Sequence, residues 1–462
     1  WTRRSFITAG VIGGTALVVG VALRPGNRNP RLSKLVAGEG EALVNAWVKI
    51  DGDNKVTVIV PHCEMGQGAQ TALAQMLADE LDANWDDVSF IEAPAANEYA
   101  NWAMAKGFAF AGIRIPKILV PTVDGFLMKA VEAMHLQTTG GSLSVRGTGV
   151  YGMRVAGAAA RQMLIASAAQ SWGVEPASIT TERGVLHHRE TGRQAPYAEY
   201  AAAAGEKKPP RSPQLKSPEQ FTLMGTSTPR LDLPAKVDGS ARFAMDVNLE
   251  GMRYATVANA PVFGTRVASI DDSKALGMPG VSAVVDLGDA VAVVADGYWQ
   301  ARQALDKVTI AWQESDANSV HSESIFEQFK YDLEQGERAG SDVNKGDSAA
   351  ALEQADTVIE RQYRVPFLAH ACMEPMNAVA RVVDGRCEMW VGSQDPLLFR
   401  HAVADALGFD YEQVALTNHV MGGGFGRRSN PDVAVQAARI AQITGMPVKL
   451  IWSREEDTRH DH

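Results

Sequence analysis

Three times along this chain a helix-forming run gives way to an aromatic residue, a few acidic or turn residues and a β-branched strand: "LDANWDDVSF", "SWGVEPASIT" and "LGFDYEQVAL". In the first module "KVTVIV" (Lys55 to Val60) alternates like a strand. It runs through "PHCEMGQGAQ" into "TALAQMLADEL", which puts Leu73, Met76, Leu77 and Leu81 on one helical face. In the second, "GGSLSVRGTGVYG" leads into "MRVAGAAARQMLIASAAQ"; the third is "DPLLFRHAVADALGFDYEQVALTNHV". Helices alternating with strands predict α/β layers rather than an all-α or all-β fold.

The third module ends in "MGGGFGRRSNPD" (Met421 to Asp432), with four glycines in five positions and then two arginines. Gly422, Gly423, Gly424 and Gly426 can take positive φ and leave their backbone N–H groups uncovered. Asn430 reads as a helix N-cap and Pro431 as the first helical residue. "DVAVQAARIAQI" then continues as a helix, which Gly445 and Pro447 stop before the strand "VKLIW". A bare loop between a strand and a helix N-terminus suits an anion, because free amides and the helix dipole point the same way. The same glycines could instead serve a tight turn for packing, and the loop by itself leaves both open. Neither phosphate fingerprint fits: counting from Gly422 the sixth position is Arg427, and the residue five before Gly426 is Met421.

At 462 residues and 46% hydrophobic content, the chain can build two to four cored domains. A net charge of −10 argues against nucleic acid as a main partner. Cys63, Cys372 and Cys387 are too few and too scattered to hold an iron–sulfur cluster or a disulfide framework. Residues 1–24 begin with Arg3 and Arg4, then Ser5, Phe6 and an apolar run from Ile7 to Leu23, which predicts a twin-arginine export signal or an anchor with a basic flank. That places the protein in the periplasm, with membrane association if the segment is retained. Residues 201–220 form a Pro- and Lys-rich linker, and a second polar stretch runs from Gln313 to about Lys345. Between them, residues 221–312 read as a separate α+β domain with short strands in "GSARFAMDV", "MRYATVANAP", "VSAVVDL", "AVAVVA" and "KVTIAW" and one helix, "YWQARQALD".

Several of these pieces together resemble the molybdopterin-binding subunits of the xanthine dehydrogenase/aldehyde oxidase family. The resemblance is nearest to the isoquinoline 1-oxidoreductase and membrane-bound aldehyde dehydrogenase branch. "TPRLDLPAKVDGSARFAMDV" (Thr228 to Val247) resembles the start of that family's hammerhead domain. "HACMEPMNAVA" (His370 to Ala380), "SQDP" (Ser393 to Pro396) and "MGGGFGRRS" (Met421 to Ser429) follow in family order. "EMGQGAQTALAQMLADEL" (Glu64 to Leu81) resembles a second cofactor loop, and the twin-arginine start also belongs to this branch.

The resemblance implies molybdenum-cofactor-binding α/β domains with an inserted hammerhead-like α+β domain. A molybdopterin-binding segment would span 41–200, the linker 201–220, the hammerhead-like domain 221–312, and a second molybdopterin-binding domain 345–462. The cofactor would be molybdenum-bearing molybdopterin, often a cytosine dinucleotide in relatives. Gly66, Gln67, Gly68, Gln394, Gly423, Gly424, Phe425, Gly426 and Arg427 would line it. Gln67 would offer amide donors and acceptors to it, the alternative being a turn residue bonded to its own backbone. The implied reaction oxidises an aldehyde or N-heterocycle with water as oxygen source and passes electrons to a small [2Fe-2S] subunit, with a cytochrome c subunit as a further option. A non-catalytic cofactor-binding or assembly subunit is the other reading.

Two departures matter. Leu368 stands where xanthine-oxidising relatives carry a glutamine, which argues against xanthine. The family's catalytic glutamate lies in a Gly-x-Gly-Glu-Pro segment that is absent here, so no catalytic residue is assigned to this chain. The parallel sheet reads as unfinished at "WSREEDTRHDH". Glutamate and sheet would come from beyond His462 or from a second chain, without which this one is expected to be inactive. No metal ligand is assigned: His370 and Glu374 read as a buried structural pair beside the cofactor. Met373, Met376 and Met421 read as packing, and His187 and His188 as surface residues.

Overall fold

The computed structural model describes residues 29–110, 113, 115–116, 119–210, 212–335 and 345–461. The export or anchor segment therefore lies outside the described residues. Two cores, each a sheet with helices against it, meet along one seam.

The first core contains β1 (Ala42–Asn45), β2 (Val48–Ile50), β3 (Val56–Val60) and β4 (Val88–Glu92) in that order across a four-stranded sheet. β3 and β4 are parallel, with Val58 opposite Phe90, because helix α1 (Ala69–Leu81) carries the chain back between them. Leu73, Leu77 and Leu81 of α1 are fully buried, and each such burial contributes about 1.5–3 kcal/mol. α1 crosses α2 (Arg154–Trp172) closely enough that a Cβ on Gly157 would lie 2.3 Å from the Leu77 carbonyl oxygen. The glycine-rich stretch before α2 winds into helical turns from Ser144 to Met153 that continue into α2. The strand after α2 joins a three-stranded meander, β5 (Ile179–Glu182), β6 (Val185–His188) and β7 (Arg193–Pro196), rather than a parallel sheet. Only the first and third modules are thus βαβ units. His188 faces inward and bonds Thr191, which corrects its surface assignment: on a strand with one covered face, neighbours alternate.

The second core is built on a seven-stranded sheet. It draws β8 (Arg253–Asn259), β10 (Val281–Asp286) and β11 (Ala290–Ala295) from the segment expected as a separate domain. β9 (Val267–Asp271) and β12 (Thr309–Trp312) of that segment form a separate pair. β13 (Asn377–Val383), β14 (Arg386–Val391), β15 (Val414–Asn418) and β16 (Val448–Ile451) complete the larger sheet, in the order β10-β11-β8-β16-β13-β14-β15. β16 pairs with β8 in parallel and with β13 antiparallel. The expected unfinished parallel sheet is therefore a mixed sheet with β16 at its centre. The hammerhead-like segment is continuous with the C-terminal one, since β8, β10 and β11 present buried apolar residues that the second core covers. "GSARFAMDV" forms a single helical turn at Ala244–Asp246, not a strand. The polar stretch after Gln313 contains a helix, Ser322–Glu334, because exposed polar residues are no bar to helix formation.

Helix α3 (Pro396–Leu407) links the parallel pair β14 and β15, and α4 (Asp432–Thr444) links β15 to β16. α4 ends at Gly445 in the left-handed region, as read from the sequence. It begins one residue later than predicted: Pro431 is its cap position, and Arg427–Ser429 form a separate turn before it.

The expected linker is not free. Lys216 is buried and binds Asp79 at 2.9 Å and Asp82 at 2.6 Å. Asp79, fully buried, also accepts the backbone N–H groups of Thr222, Leu223 and Met224. Burial opposes ionisation of Asp79, but the Met224 N–H and Lys216 outweigh it and hold the carboxyl below its usual range.

Candidate functional site

Three loops lie at the carboxyl ends of parallel-paired strands: Pro61–Gly68 after β3, Gly392–Asp395 after β14 and His419–Ser429 after β15. Loops in this position are where α/β sheets place ligands. Because β14 and β15 are neighbours, Gln394 sits beside the glycine loop. Its Oε1 accepts the Gly426 N–H at 2.9 Å, and its Nε2 donates to the Thr139 carbonyl at 3.1 Å. Thr139 returns a backbone bond to the Gln394 carbonyl at 2.7 Å. Its hydroxyl meets the Cys63 amide at 3.1 Å and the His62 ring at 3.2 Å. Met421 N–H donates to the Glu64 carbonyl at 3.0 Å. The two glycine loops, far apart in sequence, thus form one seam.

Of the predicted residues, Gly66, Gln67, Gly68, Gln394, Gly423, Gly424, Phe425 and Gly426 are brought together along it. Gln67 spends its amide on its own loop, donating to the Cys63 carbonyl at 2.9 Å and accepting from Met65 N–H at 2.8 Å. That is the turn-closing role. Gly424 is required by space: a Cβ there would lie 2.5 Å from the Met65 sulfur and 2.7 Å from Gln394 Oε1. Phe425 holds φ 54°, a conformation uncommon for a bulky side chain, with its ring 73% exposed. The amides of Gly423, Gly424 and Phe425 have no hydrogen-bond partner among the described residues.

The arginines turn away from the open side. Arg427 is buried, bonded to Asp432 at 2.8 Å, 3.3 Å from Asp461, and over the Trp452 ring. Arg428 is fully buried and donates to the carbonyls of Gly423 and Glu374. His370 and Glu374 do not pair, which corrects that expectation. The Nδ1 of His370 contacts Asp461 at 2.8 Å, while Glu374 accepts Gly422 N–H at 2.8 Å. They lie four apart on a non-helical segment, so the spacing does not put them on one face. Met376 and Met421 are core residues, but Met373 is 88% exposed and packs against nothing comparable.

Thr139 and Glu92 were missed at the level of sequence, and Glu64, Arg230, Asp395 and Asp461 were given no role although each lay inside a quoted segment. Asp395 accepts Gln137 N–H at 2.9 Å and the Thr138 hydroxyl, tying the Gln137–Thr139 strip to α3. Nothing in the local pattern marks such a polar strip.

Glu92, at the end of β4, takes an N–H from Asn418 at 2.7 Å and from Gln70 at 3.1 Å. Burial pushes its carboxyl up to about 8 against those two bonds, and the Glu64 charge pushes the same way. A raised carboxyl pKa means that the folded state binds the proton more tightly than the unfolded chain. Its stabilisation is complete below the ordinary 4.5 and is lost as pH rises towards about 8. Glu92→Gln should therefore flatten the stability profile, removing up to about 1.4 kcal/mol of loss per pH unit across that window. Urea midpoints of the two proteins across the window check this, and parallel curves would refute it. His62 beneath the same loop is held neutral by burial, its pKa lowered to about 3.

With this geometry in view, the comparisons define the class. Residues 331–462 match one molybdopterin cofactor-binding domain family, and residues 12–106 match a second molybdopterin cofactor-binding domain family. The chain is 31% identical over 465 residues to isoquinoline 1-oxidoreductase subunit beta of Brevundimonas diminuta, covering 90% of this chain and 55% of that protein. It is 28% identical over 480 residues to the membrane-bound aldehyde dehydrogenase (pyrroloquinoline-quinone) of Gluconacetobacter polyoxogenes, covering 100% of this chain and 56% of that one. Among solved structures, quinoline 2-oxidoreductase from Pseudomonas putida 86 aligns with TM-score 0.40 at 21% identity, over 50% of this chain and 35% of that one. The chain belongs to the molybdopterin-binding subunits of the xanthine dehydrogenase family, a family of molybdenum-dependent oxidoreductases. It spans about half the length of the curated relatives it matches.

Proposed function

We propose that the seam holds a molybdenum-bearing molybdopterin, and that the chain works as part of the large subunit of a molybdenum hydroxylase. Its substrate would be an aldehyde or an N-heterocycle, with water as oxygen source and electrons leaving through an iron–sulfur partner. The observation that carries this reading is the meeting of the Pro61–Gly68 loop with the His419–Ser429 loop, through Glu64 and Met65 against Met421 and Gly424, with three successive loop amides left for a ligand. The fit extends to the strained Phe425, since backbone strain of this kind collects at ligand-binding positions. When bound, the group supplies the redox chemistry. The residues of this chain bind and orient it. The N–H groups of residues 423–425 would donate to its anionic oxygens, Gln394 fixes the loop that carries them, and the Phe425 ring flanks the opening. Leu368 carries no amide, which favours aldehydes and heterocycles over xanthine.

The same proposal includes export. Arg3 and Arg4 act as the address, and the cofactor is inserted before transport. Coexpression of the native gene set, fractionation and metal analysis test the whole reading. Molybdenum and iron should co-purify from the periplasm with activity on an aldehyde or an isoquinoline-type heterocycle, and Arg3→Lys with Arg4→Lys should strand the complex in the cytoplasm. No molybdenum at all sinks the reading. Molybdenum without turnover would instead point to an assembly subunit.

A further inference from the structure

Glu64 is an odd residue to find beside a loop that receives an anion. Its side chain is acidic and 2% exposed, and it stands two residues before Gly66. Its Oε1 accepts Gly66 N–H at 2.8 Å and Gly68 N–H at 3.2 Å. Both glycines hold positive φ, 102° and 75°, which turns these amides inward onto one oxygen. Behind that oxygen stand Arg230 Nη2 at 3.0 Å and Lys236 Nζ at 3.4 Å. Arg230 also donates to the Gly66 carbonyl at 2.9 Å, so it grips the loop from both sides.

Arg230 and Lys236 belong to the strap Thr228–Val247, which touches the second loop as well. Phe243 bridges Val420, and the His419 ring meets the Arg242 carbonyl at 3.4 Å. The second loop repeats the construction: Gly422 N–H donates to Oε2 of the partly buried Glu374 at 2.8 Å, and Arg428 backs that oxygen at 3.2 Å. A carboxylate behind the glycine amides, with a guanidinium behind the carboxylate, therefore occurs on both sides of one seam.

We propose that Glu64 is a positioning residue that sets the first glycine loop for the cofactor, and that Arg230 cancels the charge this would otherwise place beside an anionic ligand. The inference rests on the cofactor reading of the seam. It makes an ordered prediction. Glu64→Gln keeps an acceptor of the same shape and loses the charge, so it loosens the loop moderately. Arg230→Met leaves the buried carboxylate only Lys236, at 3.4 Å and shared with Asp232 at 2.6 Å, so the site is left under-compensated, repels the ligand and is the worse variant. Combining the two removes the repulsion, and the double variant should hold more molybdenum than Arg230→Met alone.

Molybdenum per chain is measured in the native complex, together with hydrogen exchange over residues 61–72 in protein from molybdenum-depleted cells. Arg230→Met should lose at least about tenfold in metal content and Glu64→Gln less, with partial recovery in the double variant. Exchange over 61–72 should rise in Glu64→Gln while the seven-stranded sheet is unchanged. Recovery failing in the double variant, or exchange rising equally throughout the protein, overturns the proposal and leaves a merely structural pair. A wild-type protein without molybdenum defeats the cofactor reading instead, and the exchange result still decides whether Glu64 holds the loop.

Discussion

Gly424→Val should give a protein that folds with both cores intact and has lost most of its molybdenum. The glycine is held by space. It is absent from the left-handed residues of its own loop, among which Gly423, Phe425 and Gly426 take φ 107°, 54° and 110°. A Cβ at 424 would stand 2.5 Å from the Met65 sulfur and 2.7 Å from Gln394 Oε1. The methionine tail can swing aside. Gln394 cannot, because it is buried and bonded at both ends, to Gly426 and to Thr139. Relief therefore comes from pushing the loop away from the first-core loop, which opens the seam where the free amides lie. Overpacking of this kind typically costs about 1–3 kcal/mol, small enough for the cores to survive. Metal analysis on folded protein is the measurement, and full occupancy would mean that the glycines serve packing alone. The buried, doubly paired Arg427 makes a useful contrast, because its ion pairs with Asp432 and Asp461 place its effect on stability rather than on the open amides.

Asp79→Ala carries the largest expected effect on stability. One fully buried carboxylate gathers Lys216 and three successive backbone N–H groups from Thr222 to Met224. Removing it leaves those partly exposed donors without their shared acceptor, while Lys216 keeps Asp82 and the main-chain carbonyl of residue 79. Breaking a buried pair by deleting one partner costs about 3–5 kcal/mol, and the retained Asp82 puts this case at the lower end. Because the released strap leads directly to Arg230, the loss should be local first. Protease cleavage within residues 212–226 should appear in the variant under conditions that leave wild type whole. A variant with an unchanged urea midpoint and an uncut strap would show that the cluster contributes little.

What could be read from the sequence was what depends on near neighbours. The face of α1 is legible because Leu73, Leu77 and Leu81 recur at helical spacing. The stop at Gly445 is legible because a left-handed residue must end the helix there. The strands β8, β10, β11 and β12 were marked by their β-branched runs. The bareness of Gly422–Gly426 was legible for the same reason: it follows from the absence of side chains, whatever surrounds the loop.

Partnership was not legible. The runs that became β8, β10 and β11 looked like a domain of their own, because an apolar strand face records that it will be covered and not by which strand. Only the tertiary structure laid β8 against β16 and merged the two segments into one sheet. The arginines after the glycine loop looked free to meet an anion until Asp432, Asp461 and Glu374 were brought round them. Glu64 and Arg230 are separated by 166 residues, and Gln394 and Thr139 by 255. A side chain's charge and hydrogen-bonding capacity are set by its own chemistry, whereas the donor that meets it is set by how two cores close on each other. That closure is a long-range event, and no local period in the sequence encodes it.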